Sequence, residues 1–362
     1  MHKPDWSRFH RKKSLGPWSL PMAFFSVLYG TGVRLRLWSY NRGLVERRAL
    51  PGFAVSIGNI TTGGTGKTPA VAMLASWART EGHKVAVLSR GYGGTYKSEV
   101  LEVSDGHHIK SDPEETGDEP YMLAKKLTGV PVVLSKRRYL AAMYAHEKFG
   151  TDLFVLDDGF QHLEIRPDLN FVLIDAANPF GNGRLLPWGP LREPVNQLAR
   201  ADAFILTRVN EQRAGEEGLK LLKEGFPSIP VFFSDHKAVK IVLPHSKETH
   251  SPGSLQGKRV LAFAGIARPE AFKKALLSLG ADVIRFKGFR DHYPFRRNEI
   301  MSMVQEGEDL RTDYILTTEK DWVRITGIAP LCKELGYLCV EFRLITGQAD
   351  FLGMITNGIK GK

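Results

Sequence analysis

The sequence predicts an α/β fold: a mostly parallel sheet with flanking helices, followed by a second, smaller α/β domain. Three observations carry that expectation. From Phe53 onward, short β-branched runs alternate with stretches of helical period, the pattern of strands joined by crossover helices. A glycine-rich segment, residues 58–69, lies between one such run and one such stretch. The chain has 362 residues, more than a single core comfortably organises, so two domains are expected.

The first strand is expected at residues 53–57, with a helix at 69–80 on the far side of the glycine-rich segment. Strands at 84–88, 132–134, 153–156, 171–174 and 203–206 alternate with further helices, among them 138–148, and give a core domain over residues 49–240. Residues 229–254 contain Pro230, Pro244, Pro252 and Gly253 and read as an irregular junction. Beyond it, strands at 259–264, 282–286 and 314–317 alternate with helices at 269–279 and 298–306 in a smaller domain, residues 241–362. No internal repeat or low-complexity tract interrupts this order.

Cys332 and Cys339 are the two cysteines, too few for a disulfide framework or a four-ligand zinc site, so a reducing compartment is the default. The net charge of +11 suggests a nucleic-acid surface until its location is considered. Residues 1–48 carry Lys3, Arg8, Arg11, Lys12, Lys13, Arg34, Arg36, Arg42, Arg47 and Arg48 against only Asp5 and Glu46. Most of the excess therefore sits in one arm, no basic stripe follows it, and no nucleic-acid partner is expected.

Between Lys13 and Arg34 the arm has no charged residue and includes Trp18, Leu20, Met22, Phe24, Phe25, Val27, Leu28 and Tyr29. Spanning a bilayer takes about 20 predominantly apolar residues, and this stretch is interrupted by Pro17, Pro21, Gly30 and Gly32. Aromatics with basic flanks suit a helix lying in the headgroup layer of an anionic membrane. The competing readings are a helix packed on the protein's own core and a cleaved signal peptide. The second lacks a small-x-small cleavage site.

The glycine-rich segment reads Gly58-Asn59-Ile60-Thr61-Thr62-Gly63-Gly64-Thr65-Gly66-Lys67-Thr68-Pro69. Strand, loop and helix follow in the order a phosphate-binding P-loop requires. Backbone N–H groups of Thr61, Thr62, Gly63, Gly64, Thr65 and Gly66 would turn on phosphate oxygens, Lys67 would reach the β/γ-phosphates, and the Thr68 hydroxyl would bind Mg²⁺. Thr61 stands where the general pattern has glycine. A turn without ligand is the alternative. Leu153-Phe154-Val155-Leu156-Asp157-Asp158 supplies the carboxylates that such a loop needs at a neighbouring strand end for the metal, although two acids can also simply terminate a strand. An ATP- and Mg²⁺-dependent P-loop NTPase core is the resulting expectation.

Further motifs narrow the reaction. Ser89-Arg90-Gly91-Tyr92-Gly93, Gly117-Asp118-Glu119-Pro120, Asp157-Asp158-Gly159-Phe160-Gln161-His162, Gly183-Arg184-Leu185-Leu186-Pro187, Gly189-Pro190-Leu191-Arg192-Glu193-Pro194, Asp291-His292-Tyr293 and Thr317-Thr318-Glu319-Lys320-Asp321 occur in the order found in the lipid A 4'-kinases. With the loop, the chain resembles that family over roughly residues 15 to 345. The resemblance implies transfer of the ATP γ-phosphate to the 4'-hydroxyl of a tetraacylated glucosamine disaccharide 1-phosphate, at the cytoplasmic face of a bacterial inner membrane. It also implies an active site between the two domains, and His292 as the partner that orients Asp118.

Asp118 is the candidate proton acceptor for that transfer, with Lys67 completing the catalytic set. An ordinary Asp, with a pKa of about 3.9, is a weak base and needs such an orienting partner. From the residues alone, Asp118 and Glu119 serve equally well as acids at a helix N-terminus, and His292 as a structural residue. Glu119, Arg138 and Arg192 are assigned to substrate binding, since a guanidinium clamps phosphate bidentately. Arg90, Arg184, Lys320 and Asp321 carry no single role. No obligate protein partner is expected. The alternative reading is a membrane-associated regulatory P-loop ATPase, whose loop usually carries an extra lysine where this chain has Thr61-Thr62.

Overall fold

The computed structural model describes residues 19–209 and 212–362. The early arm, including Lys3, Arg8, Arg11, Lys12, Lys13 and Trp18, lies outside the described residues.

A 23-residue helix α1, Ser19–Asn41, precedes the first strand β1, Phe53–Asn59, which is buried along its whole length. Then come α2 (Lys67–Thr80), β2 (Val85–Ser89), β3 (Leu101–Ser104), the single turn α3 (Pro113–Thr116), α4 (Asp118–Lys126), β4 (Val132–Leu134), α5 (Arg138–Phe149), β5 (Leu153–Asp157), β6 (Leu169–Asp175), β7 (Ala203–Thr207) and α6 (Gln212–Gly225). Strands β8 (Val231–Leu243) and β9 (Glu248–His250) form a hairpin. The remainder is β10 (Arg259–Ala264), α7 (Pro269–Ser278), β11 (Asp282–Gly288), α8 (Arg297–Asp309), β12 (Tyr314–Thr318), α9 (Glu319–Ile325), β13 (Leu335–Thr346) and α10 (Gln348–Lys360).

One sheet contains every strand, in the order β11-β10-β12-β13-β8-β7-β6-β1-β5-β2-β4-β3, with β9 beside β8. Strands β1, β2 and β4 to β8 pair in parallel, as do β10 to β13. The two parallel sets meet where β13 runs antiparallel to β8. The parallel core is thus as predicted: strands 132–134 and 259–264 have the expected bounds, 84–88 shifts by one residue, and the other expected strands lengthen by one to three residues. Residues 229–254 differ from the expectation. Their prolines fall at the ends of β8 rather than inside it, so thirteen residues remain free to pair.

The C-terminal helix also departs from chain order. Residues 348–360, expected within the 241–362 unit, return to the first half of the molecule, where Phe351 is fully buried and its ring lies 4.6 Å from that of Phe171 and 5.3 Å from that of Phe232. Truncation there removes contacts from both halves of the chain. Phe351→Ala is expected to lower the unfolding free energy by about 3–5 kcal/mol, measured by urea denaturation.

Local chemistry sets the helix ends near the site. Gly66 precedes α2 at φ 88°, a conformation that costs a side-chain-bearing residue strain. A Cβ there would also lie 2.7 Å from the His236 ring. Gly117, at φ 83°, turns the chain between α3 and α4, and a Cβ on it would strike the Tyr92 carbonyl at 2.5 Å. Thr318 caps α9 by accepting the Asp321 N–H at 3.1 Å.

Candidate active site

The carboxyl ends of β1, β2 and β5 converge on the glycine-rich loop, where an open α/β sheet places its ligand crevice. Lys67 opens α2 and points back, its Nζ donating to Asn59 Oδ1 at 3.0 Å and lying 3.5 Å from Asp158 Oδ1. Asp158 follows the end of β5 at φ 53°, a left-handed backbone unusual outside glycine that turns its carboxylate toward the loop. Arg192 Nη1 donates to both Asp158 oxygens, at 2.9 and 2.7 Å, and to Gln161 Oε1 at 3.2 Å. Gln161 in turn donates to the Asn59 carbonyl at 2.9 Å. Lys67, Asp158 and Arg192, far apart in sequence, thus form one charge cluster.

Asp157 differs from its neighbour. Its Oδ2 accepts from Ser89 Oγ at 3.0 Å, while Oδ1 is buried with no hydrogen-bond partner. Burial first, then the nearby negative charges of Glu119 and Asp158, push its carboxyl up to about 7. Arg138, at the start of α5, is buried and donates from Nη2 to the Asp157 carbonyl at 3.4 Å, and its Nε has no partner. His162 lies within the field of Arg138, Arg36 and Arg90, and burial together with those charges lowers it to about 3.

The beginning of the loop is tied to a distant motif. Thr61 bridges to Leu191, the Thr62 N–H donates to the Pro190 carbonyl at 2.7 Å, and the Arg192 N–H donates to the Ile60 carbonyl at 2.8 Å. This pairing commits the Thr62 amide to protein. Gly63, Gly64, Thr65 and Gly66 make up the rest of the bend, with the Thr65 hydroxyl buried and unpartnered. Thr68, also buried, follows Lys67 in the first turn of α2.

The second constellation joins the two halves of the chain. Asp118 and Glu119 begin α4. His292, at φ 55° in the loop between β11 and α8, places Nδ1 3.2 Å from Asp118 Oδ2. Lys320 Nζ donates to Glu119 Oε1 at 2.9 Å and lies 3.2 Å from His292 Nε2. Burial raises both carboxyls. The bonds and charges of His292 and Arg324 outweigh it at Asp118, those of Lys320 at Glu119, so both are held below the usual carboxylate range.

Several of these participants were not singled out from the sequence. Arg208 donates to Asp175 Oδ2 at 2.6 Å and to the Gly64 carbonyl at 2.5 Å, and Arg268 reaches the same Asp175 oxygen at 2.5 Å. His236 packs beside Gly66, and burial with the charge of Arg208 lowers it to about 4. Arg324 donates from Nε to Asp118 Oδ2 at 2.6 Å. Only Arg324 left a sequence signal, lying at helical spacing from Lys320 and Asp321 just beyond the Thr317–Asp321 block. Arg184, by contrast, lies over the Trp188 ring at 3.6 Å.

Helix α1 borders this site. Ser26 Oγ donates to the Leu185 carbonyl at 2.8 Å, Tyr29 to the Arg192 carbonyl at 2.9 Å and Arg36 to the Gln161 carbonyl at 3.2 Å. Its other face is bare: Leu20, Phe24, Phe25, Val27, Leu28, Leu35 and Trp38 are each at least half exposed. Among the described residues, no helix is long and apolar enough to cross a membrane.

Comparison with known proteins places the whole chain in one family. The family model described as tetraacyldisaccharide-1-P 4'-kinase matches residues 18–360. A tetraacyldisaccharide 4'-kinase of Syntrophus aciditrophicus is 38% identical, over 98% of this chain and 97% of that protein. That of Desulfotalea psychrophila is 41% identical over 84% and 87% respectively. The crystal structure of LpxK from Aquifex aeolicus, described as an "apo" form in complex with ATP, superposes with a TM-score of 0.73 at 32% identity, covering 94% of this chain and 99% of that one. This chain belongs to the tetraacyldisaccharide-1-P 4'-kinase family.

Proposed function

We propose that this protein transfers the γ-phosphate of ATP to the 4'-hydroxyl of a tetraacyldisaccharide 1-phosphate, with Asp118 accepting the hydroxyl proton. The observation that carries the residue assignment is the meeting of Asp118 and Glu119 with His292 and Lys320 beside Lys67 and Asp158. Reaction requires an acceptor hydroxyl, a phosphate-binding lysine and an acid side chain in one place. As the bond from the 4'-oxygen to γ-phosphorus forms, that from phosphorus to the β-phosphate oxygen breaks. The proton passes to the Asp118 carboxylate, and the electron pair leaves with ADP.

Residues 63–68 cradle the triphosphate, with Thr61 and Thr62 fixing the entry to the bend. The residues present fit a Mg²⁺ ion. Asp157 Oδ1, buried and without a donor, is a carboxylate oxygen that a cation would satisfy, and the Thr68 hydroxyl lies in the first turn of α2. Asp158 is already held by Arg192 and Lys67, so its contribution is the more indirect. No cage of three or more acidic, His or Cys side chains exists among the described residues, in keeping with an ion that takes most of its ligands from phosphates and water. Bound there, Mg²⁺ would neutralise charge on the β- and γ-phosphates. Glu119, Arg138 and Arg192 line the acceptor side.

The lipid substrate and α1 fit together. Acyl chains stay in the bilayer while the sugar reaches the loop, and α1 offers an apolar face whose other side is hydrogen-bonded to residues 161, 185 and 192. The protein sits on the cytoplasmic face of the inner membrane, with Asp118 from the first half of the chain and His292 from the second meeting at the site. Binding to vesicles containing phosphatidylglycerol is expected to weaken severalfold when Phe24 and Phe25 are both changed to Ser, as read by sedimentation. Retention of full binding by that double variant would refute the α1 role.

The central test follows label from γ-labelled ATP, with Mg²⁺ and detergent-dispersed tetraacyldisaccharide 1-phosphate, into the lipid. Label in the lipid with the native protein, and its loss in Asp118→Asn, support the reading. Label recovered only as free phosphate would support the regulatory ATPase instead.

A further inference from the structure

The block Thr317-Thr318-Glu319-Lys320-Asp321 stands at the head of α9, and the residue one turn further on, Arg324, touches Asp118. We propose that Arg324 is a positioning residue for phosphoryl transfer: seated on Asp321 and the Gly265 carbonyl, its guanidinium occupies Asp118 Oδ2, so that Oδ1 faces the acceptor hydroxyl. The proposal rests on the assignment of Asp118 as the proton acceptor.

The seat is built rather than incidental. Arg324 is only 8% exposed at its side chain, and Asp321 is fully buried. Asp321 Oδ1 accepts from Arg324 Nη1 at 2.6 Å, and Oδ2 accepts the Gly265 N–H at 2.9 Å and the Thr318 hydroxyl at 2.7 Å. The same Arg324 nitrogen donates to the Gly265 carbonyl at 2.9 Å. A Cβ on Gly265 would lie 3.2 Å from Asp321 Oδ1, so glycine lets the carboxylate approach. The guanidinium is therefore fixed before it meets the acid on α4.

What it does there follows from donor counting. Asp118 Oδ2 takes Arg324 Nε at 2.6 Å and stands 3.2 Å from His292 Nδ1. Among the described residues Oδ1 accepts no hydrogen bond. Arginine and lysine only donate, and the two ring nitrogens of His292 are approached by Arg324 and Lys320, each at 3.2 Å. A neutral ring carrying its proton on Nδ1 serves Asp118 with that proton and accepts from Lys320 at Nε2. In this tautomer Arg324 acts through Asp118 alone, and the two cations of α9 divide the pair between them.

Other charged groups surround the acid without bonding to it. Asp291 flanks His292, Glu119 is next on α4 and is held by Lys320, and Lys67 stands at the head of α2. Glu114 and Glu115 lie on α3, and Glu102 on β3 is engaged by Lys110 and Lys148. Arg324 is thus the cation in direct contact with Asp118, and it favours the carboxylate form.

The test measures kcat, KM for ATP and the pH dependence of kcat for Arg324→Gln, Arg324→Lys and Asp321→Asn, with Asp118→Asn alongside and thermal unfolding with and without ATP as a check of folding. Arg324→Gln is expected to lose about 10²-fold in kcat with KM for ATP within about twofold, and its acid limb is expected to move to higher pH because Asp118 has lost its cation. Arg324→Lys should restore part of the rate and return the limb toward its native position. Asp321→Asn, which unseats the guanidinium, should resemble Arg324→Gln more weakly. A native kcat in Arg324→Gln, or a reduced one with an unshifted acid limb, overturns the proposal. If Arg324→Gln does not fold, the comparison of Arg324→Lys with native decides, since an unchanged kcat and profile there with lost Asp118 geometry contradict positioning. Full activity in Asp118→Asn would instead sink the assignment of the proton acceptor, which separates the two failures.

Discussion

Lys67→Ala is expected to lower kcat for lipid phosphorylation by about 10²–10³-fold, the effect of removing a preorganised donor from a developing anionic charge. Two properties of the structure support so large a loss. Lys67 is nearly buried, at 11% side-chain exposure, so little water is available to replace its ammonium. It is also held by Asn59 and Asp158, so no ordering remains to be done when the triphosphate arrives. Alanine would further leave Asp158 with Arg192 as its main cationic neighbour. The measurement is single-turnover transfer of label at saturating ATP, and a loss below about tenfold would show that Arg192 or Mg²⁺ carries the charge that Lys67 is assigned.

Asp157→Asn is expected to abolish Mg²⁺-dependent transfer while making the nucleotide-free protein more stable at pH 8. A carboxyl pushed from its ordinary value up to about 7 by burial and by Glu119 and Asp158 disfavours folding whenever it ionises. Stability is unaffected by this group below about pH 4, falls as pH rises toward 7, and has lost the full amount above it. An amide cannot ionise. The variant should therefore exceed the native protein by on the order of 1–3 kcal/mol above pH 7, raising Tm by a few degrees, with the difference closing near pH 4. Denaturation across that range is the measurement, and equal stability at pH 8 would mean that water or another donor reaches Oδ1. A residue retained at a cost to stability is the pattern of a functional site.

These two expectations differ in how far each was legible. The role of Lys67 follows from local order: strand, glycine-rich bend and helix come from one continuous segment, and the geometry of the loop is set by its own backbone. The role of Asp157 as a group separate from Asp158 was not legible. Adjacent residues on a strand point in opposite directions, and here one carboxylate meets Ser89 in the interior while the other, on a left-handed backbone, meets Lys67 and Arg192.

The family itself was also written in the order of the motifs, and with it the pairing of Asp118 with His292. Arg208 and Arg268 were not, since each gains meaning only by sharing Asp175 beside Gly64. Likewise, proline content marked residues 229–254 as irregular, yet they form the strand through which the two parallel sets become one sheet, because β13 arrives to satisfy its backbone hydrogen bonds.

By itself, then, the sequence determined the alternation of strands and helices, the phosphate loop, the acids at the end of β5 and membership of the family, all of which depend on neighbours a few residues apart or on ordered motifs. Tertiary structure decided the shared sheet, the return of α10 to the first core and the contact of Arg324 with Asp118 across 206 residues. The physical reason is that a charge or a strand edge separated that far along the chain finds its partner only after the intervening elements have packed, and no local pattern specifies which of several candidates will be brought within 3 Å.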